Sequence, residues 1–424
     1  MADERSGSRA GGTRAKAAQR RSANSLPLVV VAIGSASLIG SASMGARQTF
    51  GLFVEPMSSE FGFSPATVAF AIALHNLVWG LAQPFTGAAA DRYGAGPVVA
   101  AGSLLLAGGL GAAAFASSAF MLVLGMGVLF GLGVSCTSFG VVLTAIGRAA
   151  RPEQQSLVMG IASAGGSLGQ VLFVPYAQFL SQNWGAALAL IGLTILVSAV
   201  APLGYLIRSN SSEHLNQEQV YMPARSAALK ALGHNGYCLL TLGFFTCGFQ
   251  LAFIATHLPA YLNLCSMPAG TGATALAVIG FFNILGSWVC GWLGGRCRQR
   301  SVLALLYLAR AVAIAMFILA PKSEASVLAF AAVMGFLWLG TVPLTTGVIA
   351  RLFGARHLGT LFGLCFLSHQ VGSFLGSWTG GLVLEITGSY TPIWIATSAA
   401  GFMAAALHMA IRDTPAYPAA ARAE

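Results

Sequence analysis

Three basic side chains lie inside apolar stretches of the sequence, where a charged group is costly to keep. Arg47 lies towards the end of the stretch 27–53, Arg310 near the middle of 302–320, and His369 in the middle of 358–384. A guanidinium is always charged and matches the bidentate geometry of a carboxylate. An imidazole titrates near neutral pH. These residue types indicate that the protein binds an anion, with a histidine that can also carry a proton.

Each of these residues also has a structural interpretation. Arg47 lies about 9 Å inside the end of its stretch, counted at 1.5 Å per helical residue, and could reach lipid headgroups by snorkelling. Arg310 could be satisfied by helix carbonyls and polar neighbours, and His369 could be a hydrogen-bonded core histidine. For all three residues the sequence leaves both interpretations open.

The 12 acidic residues all lie at or beyond the ends of the apolar stretches. Asp91 lies at the end of a stretch on one side of the membrane. Glu55, Glu60, Glu324 and Glu385 lie at or near the ends of stretches on the other side. An unpaired charge inside a membrane costs at least about 2.5–3.5 kcal/mol. Basic residues without a carboxylate beside them in the membrane therefore predict an anionic substrate. The same pattern argues against cationic drugs and against a carboxylate proton relay.

The composition excludes an ordinary soluble protein. Charged residues make up 8% of the 424 and hydrophobic residues 56%, whereas a soluble domain carries about 25% charged residues. Apolar stretches of roughly 20 residues, each long enough to cross a bilayer, recur along the chain. Twelve such spans are predicted: 27–53, 66–90, 98–117, 119–146, 155–180, 184–207, 236–262, 271–293, 302–320, 326–350, 358–384 and 391–411.

The distribution of lysine and arginine supports twelve spans. Nineteen of the 22 fall on the side of the two termini, Lys322 is on the other side, and Arg47 and Arg310 lie within spans. Such a bias is typical of cytosolic loops. It predicts a multi-pass protein of the bacterial inner membrane with both termini in the cytosol.

The chain is predicted to be an all-α membrane protein of two six-helix bundles. A disordered basic tail over 1–26 precedes the first bundle, 27–207. A polar cytosolic linker over 208–232 leads to the second bundle, 233–412, and a short tail, 413–424, ends the chain. The arginines of the first tail are topology signals more simply than a nucleic-acid site, so no nucleic-acid partner is expected.

The two halves repeat each other at an offset of 203 residues. Gly45 falls against Gly248, Gly169 against Gly372, and Pro56 against Pro259. Several matches at one offset indicate a duplication. Duplicated membrane bundles place a substrate site at their interface, near the middle of the bilayer.

The loop after the second span contains Gly87-Ala-Ala-Ala-Asp91-Arg92-Tyr-Gly94. This run is similar to the G-x-x-x-D-R-x-G motif of the major facilitator superfamily, although Ala95-Gly96 stands where basic residues are usual. The resemblance covers nearly all of the chain. It implies twelve helices in two pseudo-symmetric bundles, transport by alternating access, and a gating role for Gly87, Asp91, Arg92 and Gly94.

Within that superfamily the chain resembles the bacterial branch of the monocarboxylate transporters and oxalate:formate antiporters. The first span contains Gly45-Ala-Arg47-Gln-Thr-Phe-Gly51, where that branch carries a basic residue. In the eleventh span His369 occupies the place of a substrate-binding lysine. The resemblance therefore implies that Arg47 and His369 contact the substrate from opposite halves.

Two polar residues complete the predicted site. Gln250 falls opposite Arg47 in the internal repeat, and Asn283 lies where the monocarboxylate branch has an aspartate. Ser287 stands in place of that branch's arginine, so both charges are missing and proton coupling by that pair is in doubt. Helix–helix hydrogen bonding is the alternative role for Gln250 and Asn283.

The sequence carries no sign of an enzyme or of a resident cofactor. It has neither a Gly-rich phosphate loop nor a metal-binding cysteine or histidine spacing. The predicted partners are a small carboxylate, a proton or counter-anion, and the lipid bilayer, with the protein acting as a monomer. The leading hypothesis is a secondary transporter of mono- or dicarboxylates. The alternatives are a multidrug exporter of the same superfamily and a transporter-like sensor that binds its ligand without moving it.

Overall fold

The computed structural model of the protein describes residues 30–138, 141–142, 155–207, 224–354 and 358–412. The predicted tails and most of the predicted linker lie outside these ranges. In the first half, α1 covers 30–48 and continues through a 3-10 turn, Thr49–Phe53, into Val54–Ser59. It is followed by α2 (Pro65–Tyr93), α3 (Ala95–Ala114) and α4 (Ala119–Thr137). The stretch Gln155–Val200 contains both α5 (155–184) and α6 (186–200).

In the second half a short linker helix, Ala224–Leu232, precedes six longer helices. These are α7 (Asn235–Leu264), α8 (Thr271–Arg296), α9 (Gln299–Leu319), α10 in two segments (Glu324–Phe336 and Thr341–Phe353), α11 (Leu358–Thr387) and α12 (Thr391–Ala410). The prediction of one unbroken tenth span missed this interruption.

Twelve membrane crossings can be traced in the described residues. Ten stretches are long and apolar enough to cross a membrane. One of them, Gly165–Leu206, has 42 residues, roughly 63 Å of helix at 1.5 Å per residue, or about twice the hydrocarbon thickness. It bends at Gly185, whose φ of 84° favours glycine, and so it supplies two crossings. Helix α1, the first in the chain, is not among these ten stretches and adds the remaining crossing, which brings the number to twelve.

Local sequence explains where α2 begins and ends. The Ser64 side chain accepts a hydrogen bond from the Thr67 amide at 3.2 Å, and Pro65 opens the first turn. Gly94 ends the helix with a φ of 89°, a conformation that costs glycine little. The predicted loop motif therefore lies mostly on the last turns of α2, with Gly94 at the break before α3.

Among the described residues, the most extensive contacts between the two halves join three pairs of helices. Helix α2 packs on α11, α5 on α8, and α1 on α7. Within each half, the helices related by the internal repeat pack in the same way. A Cβ at Gly169 of α5 would overlap the Ser41 carbonyl of α1, and a Cβ at Gly372 of α11 would overlap the Phe245 carbonyl of α7. The duplicated halves are thus seen as equivalent glycine-mediated contacts.

Candidate functional site

Arg47 lies on α1 at the boundary between the halves, just before the helix tightens into its 3-10 turn. Its side chain is half-buried, and Nη2 donates to Asn76 Oδ1 on α2 at 3.0 Å. The guanidinium carbon lies 5.5 Å from the centroid of the Trp79 ring. Nε is buried without a hydrogen-bond partner among the described residues. The charge of Arg47 is therefore held by a neutral amide and an aromatic face, and Nε is left to donate to another group.

A small cavity lies beside Arg47, between the two halves. Its volume of about 10 Å³ is close to the space of one water molecule. The polar part of its wall comes from Arg47, His75 and Asn76 in the first half and from Thr256 and Ser377 in the second. The Thr256 and Ser377 hydroxyls lie 3.0 Å apart and hydrogen-bond to each other. Arg47 is the charged residue of this wall.

A chain of hydrogen bonds connects Arg47 to His369 across the boundary. Gln370 on α11 donates from Nε2 to the main-chain carbonyl of Asn76 at 3.1 Å. Its Oε1 lies 3.0 Å from His369 Nδ1, which must be the donor because an amide oxygen only accepts. With the Arg47–Asn76 bond, these contacts link the two basic residues that were predicted to meet the substrate. We call this set, Arg47, Asn76, Gln370 and His369, the polar relay.

His369 is half-buried and is oriented by aromatic side chains. Its ring stacks on Phe366 with an interplanar angle of 6° and lies 4.8 Å from the Phe244 ring, measured between centroids. Its Nδ1 also lies 3.5 Å from the Ser373 hydroxyl. These contacts fix the ring plane, and the relay fixes the tautomer by placing the proton on Nδ1.

Among the described residues, Arg310 is hydrogen-bonded to main-chain carbonyls and a thiol that are not members of the polar relay. It is 0% exposed, and Nε donates to the Leu337 carbonyl at 2.9 Å. Nη2 donates to the Leu337 and Trp338 carbonyls, and Nη1 lies 3.3 Å from Cys247 Sγ. Leu337 and Trp338 follow the first segment of α10, where carbonyls lack helical partners. The guanidinium thus caps a helix C-terminus, which favours a cation.

Asn283 ties α8 to α5 and to the interruption of α10. It is 0% exposed and donates to Ser167 Oγ at 3.3 Å and Gln170 Oε1 at 3.4 Å. Its Oδ1 accepts from the Leu339 amide and from Ser287 Oγ, both at 3.2 Å. The position therefore carries a neutral hydrogen-bond cluster between the halves, as expected from the absence of the charged pair that the resemblance places there in the monocarboxylate branch.

Gln250 does not share the surroundings of Arg47, although the two are equivalent in the repeat. It is 0% exposed and donates to the Thr397 carbonyl of α12 at 3.0 Å, within the second half. Its Oε1 has no partner among the described residues. This arrangement matches the helix–helix alternative for Gln250.

The loop-motif residues lie at the arginine-rich face, the end of the bundle that carries Arg92, Arg296, Arg351 and Arg412. Arg92 extends over the Tyr93 ring, 5.3 Å from its centroid, and a Cβ at Gly87 would meet open space. The Asp91 side chain falls outside the described atoms. The gating role of Gly87, Asp91, Arg92 and Gly94 stays a prediction.

The halves are closed against each other at the opposite, arginine-poor face. There Asn263 of α7 donates to the Glu55 carboxylate of α1, and Glu385 of α11 accepts from the Ala66 amide of α2 at 3.3 Å. We call these two contacts the closed gate. Towards the arginine-rich face, a Cβ at Gly359 or Gly363 of α11 would meet open space. The described contacts between the halves therefore close the arginine-poor face.

Sequence reasoning missed Asn76 and Gln370 as relay residues. Each is a polar residue in the middle of a span and lies directly beside a histidine. Polar side chains at that depth are rare, and that rarity could have marked them. Their pairing depends on the contact between α2 and α11, which the sequence does not state.

The chain resembles known transporters over most of its length. It is 24% identical over 362 residues to the MFS-type transporter YcxA of Bacillus subtilis, covering 81% of this chain and 85% of that protein. Monocarboxylate transporter 13 of Rattus norvegicus is 27% identical, with 84% and 82% covered. The oxalate:formate antiporter of Oxalobacter formigenes is 23% identical, with 86% of each chain covered.

The fold is that of a solved sugar transporter. The crystal structure of a D-xylose–proton symporter superposes with a TM-score of 0.68 at 14% sequence identity, covering 91% of this chain and 98% of that one. The family model described as Major Facilitator Superfamily matches residues 36–341. From this match, the duplicated twelve-helix bundle and the gate closed at one face, we conclude that the chain belongs to the major facilitator superfamily, whose members are transporters that work by alternating access.

Proposed function

We propose that the protein is a secondary transporter of small organic anions, most directly mono- or dicarboxylates. One observation carries the proposal. Arg47 keeps its charge at the boundary between the halves with a neutral amide as its hydrogen-bond partner and with Nε unpartnered. A carboxylate can replace the amide and engage two guanidinium donors at once. The described acidic residues lie at helix ends and leave that position to a substrate.

Two relatives support this substrate class by their names, the monocarboxylate transporter and the oxalate:formate antiporter. In this proposal Arg47 binds the carboxylate from the first half and His369 approaches it from the second. Because the two groups lie on α1 and α11, an anion that contacts both favours the closing of the halves around it. His369 can also carry the coupled proton, or a counter-anion can drive the exchange.

The other predicted site residues receive supporting roles in this proposal. Arg310 caps the interruption of α10, Asn283 holds that interruption against α5, and Gln250 joins α7 to α12. Each contact positions a helix of the second half. Arg47 and His369 are therefore the residues that we propose to bind the substrate.

The arginine-rich face is proposed to be cytosolic because basic loops stay on that side of a bacterial inner membrane. Both termini would then be cytosolic, and the protein would act as a monomer. In this orientation the described conformation is closed to the outside.

Uptake of radiolabelled carboxylates into proteoliposomes tests the proposal. Saturable uptake of a mono- or dicarboxylate, driven by a proton gradient or by a preloaded anion, is the expected result. Uptake of neutral sugars or cationic dyes with none for carboxylates would overturn it and favour an exporter of another class. Tight binding of a carboxylate without counterflow would instead indicate a sensor.

A further inference from the structure

His75 is a buried histidine for which the proposed function has no role. Its side chain is 2% exposed, and both ring nitrogens lack a hydrogen-bond partner among the described residues. The Ile72 carbonyl, one turn earlier on α2, lies nearby without completing a hydrogen bond. Buried polar atoms are normally paired, so a ring with two free nitrogens points to a ligand that the protein atoms do not supply.

The surroundings of His75 hold the ring against the cavity beside Arg47. The ring edges meet Phe50 of α1 at 5.3 Å and Phe130 of α4 at 5.8 Å, measured between centroids and at nearly right angles. On its remaining side it lines the small cavity between the halves. A polar cavity of this size can hold one water molecule, and His75 forms part of its wall.

The charges that face this cavity are few. Helices α2, α7 and α11 contribute uncharged residues to the wall besides His75, namely Ile72, Asn76, Ala252, Ala255, Thr256 and Ser377. Helix α1 contributes Arg47 together with Phe50 and Gly51. His257 lies behind Ser377 but has both ring nitrogens bonded, to Tyr390 Oη at 3.0 Å and to the Ser377 carbonyl at 2.6 Å. A proton on His75 would therefore face Arg47 without a described carboxylate in the wall.

We propose that His75 is a proton-binding site that controls the closed gate: the ring is neutral while the gate is shut and becomes protonated when the gate opens. In the closed state an imidazolium would be a second buried cation beside Arg47, and burial of like charges is unfavourable. Once the halves separate at the arginine-poor face, water enters and solvates the charged ring. Proton binding and gate opening therefore favour each other.

The substrate enters this scheme through a step that rests on the proposed function. An organic anion bound at Arg47 would offset the added charge of the imidazolium. The gate could then close in two states. In one the cavity is empty and the His75 ring is neutral, and in the other the cavity contains both the proton and the anion. A proton on His75 and a monoanion at Arg47 together leave the net charge of the cavity unchanged, so a bound anion counteracts the gate opening that protonation of His75 causes.

The gate can be followed without any substrate by measuring the distance between spin labels at Ser59 of α1 and Thr387 of α11. Both residues are exposed at the arginine-poor face, on opposite halves. Cys238, Cys265 and Cys297 are first changed to serine so that the labels react at the intended sites. We expect acidification from about pH 7.5 to about pH 5.5, across the histidine range, to raise the long-distance population at least about threefold.

Variants of His75 and His257 test which of these two histidines responds to acid. His75→Gln should remain closed at both pH values, and His75→Phe, which the neighbouring aromatic rings can accommodate, serves if the first variant fails to fold. His257→Gln should open with acid as the parent does. A parent that does not respond to pH, a His75→Gln variant that responds like the parent, or one that stays open throughout would each overturn the proposal.

A second arm isolates the step that needs a substrate. At about pH 5.5, within the histidine range, acetate should restore the closed population in the parent, while chloride at equal ionic strength should not. If acetate has no effect but acid still opens the gate through His75, the proton site stands and the carboxylate substrate class fails.

Discussion

Gln370 on α11 donates its side-chain amide to the main-chain carbonyl of Asn76 on α2 at 3.1 Å, and this bond joins the two halves of the protein in the middle of the membrane. The same amide group holds His369 through Oε1, and the Asn76 side chain holds Arg47. Relative movement of α2 and α11 would break the Gln370–Asn76 bond, whereas the Arg47–Asn76 and His369–Gln370 bonds each lie within one half. Among the described contacts of the relay, the Gln370 bond is therefore the one that a movement of the halves must change.

Replacement of Arg47 should remove anion transport without removing the protein. Arg47→Ala is expected to lower the initial rate of carboxylate uptake by about tenfold or more, since a charge-assisted hydrogen bond contributes about 1.5–3 kcal/mol. Arg47→Lys should retain part of the rate, because the charge survives and the bidentate geometry does not. The readout is uptake into proteoliposomes normalised to reconstituted protein.

Arg296→Ala is the matched arginine control for this experiment. Arg296 is exposed at the end of α8, over the Trp292 ring, and its loss should leave uptake nearly unchanged. Wild-type uptake in Arg47→Ala would show that Arg47 only snorkels to the headgroups.

Loss of the Gln370 bond should shift the balance between the closed and open gate. A net intramolecular hydrogen bond contributes about 0.5–1.5 kcal/mol, so Gln370→Leu is expected to raise the open population about twofold to tenfold. The distance between labels at Ser59 and Thr387 reports this population. Gln250→Leu is the control, because it removes an equally buried amide bond that stays within the second half. It should lower thermal stability and leave the gate distance unchanged.

His369 should determine how transport depends on pH. His369→Ala is expected to abolish transport or to reduce the pH dependence of uptake to the part that His75 contributes, because the described spans hold no mid-membrane carboxylate to take over the proton. His369→Lys should keep anion exchange, since a fixed charge remains, and lose accumulation driven by a proton gradient. The measurements are counterflow and gradient-driven uptake in the same vesicles. An unchanged pH profile in His369→Ala would place the coupling elsewhere.

Replacement of Arg310 should lower the stability of the folded protein, and any loss of transport should follow from that loss of stability. Arg310→Met leaves the Leu337 and Trp338 carbonyls without their donor, and each hydrogen bond to a charged group contributes about 1.5–3 kcal/mol. We expect a clearly lower Tm and less folded protein, with Arg310→Lys intermediate because an ammonium can still reach a carbonyl. Folded Arg310→Met of normal Tm that has lost uptake would instead support direct substrate contact.

The architecture could be predicted from the sequence because the hydropathy of the spans and the distribution of basic residues among the loops indicate it. Hydropathy gives the number of crossings, and the repeat offset is matched by the equivalent contacts of Gly169 and Gly372. The interruption of α10 was not anticipated, since Leu337-Trp-Leu-Gly340 reads as one more apolar segment. A hydropathy profile depends on the side chains and does not detect an interruption of the backbone helix.

Part of the site could also be predicted from the sequence. Arg47 and His369 were singled out by charge in an apolar setting, and the relay brings both into one hydrogen-bonded chain. Gln250 was inferred from its equivalence to Arg47, but equivalent positions in two halves need not face equivalent neighbours. Its amide turns to α12 because the Thr397 carbonyl is available there.

The pairing of Arg310 with the α10 interruption also constrains how the protein is made. A ribosome delivers α9 before α10, so the guanidinium would reach the translocon with its carbonyl partners still to be synthesised. An arginine near the centre of a lone helix costs about 2.5–3.5 kcal/mol to insert, and the free carbonyls after Phe336 are costly in lipid as well. We expect α9 and α10 to leave the translocon together as a hairpin. The four-residue turn between Leu319 and Glu324 is short enough to keep them adjacent throughout.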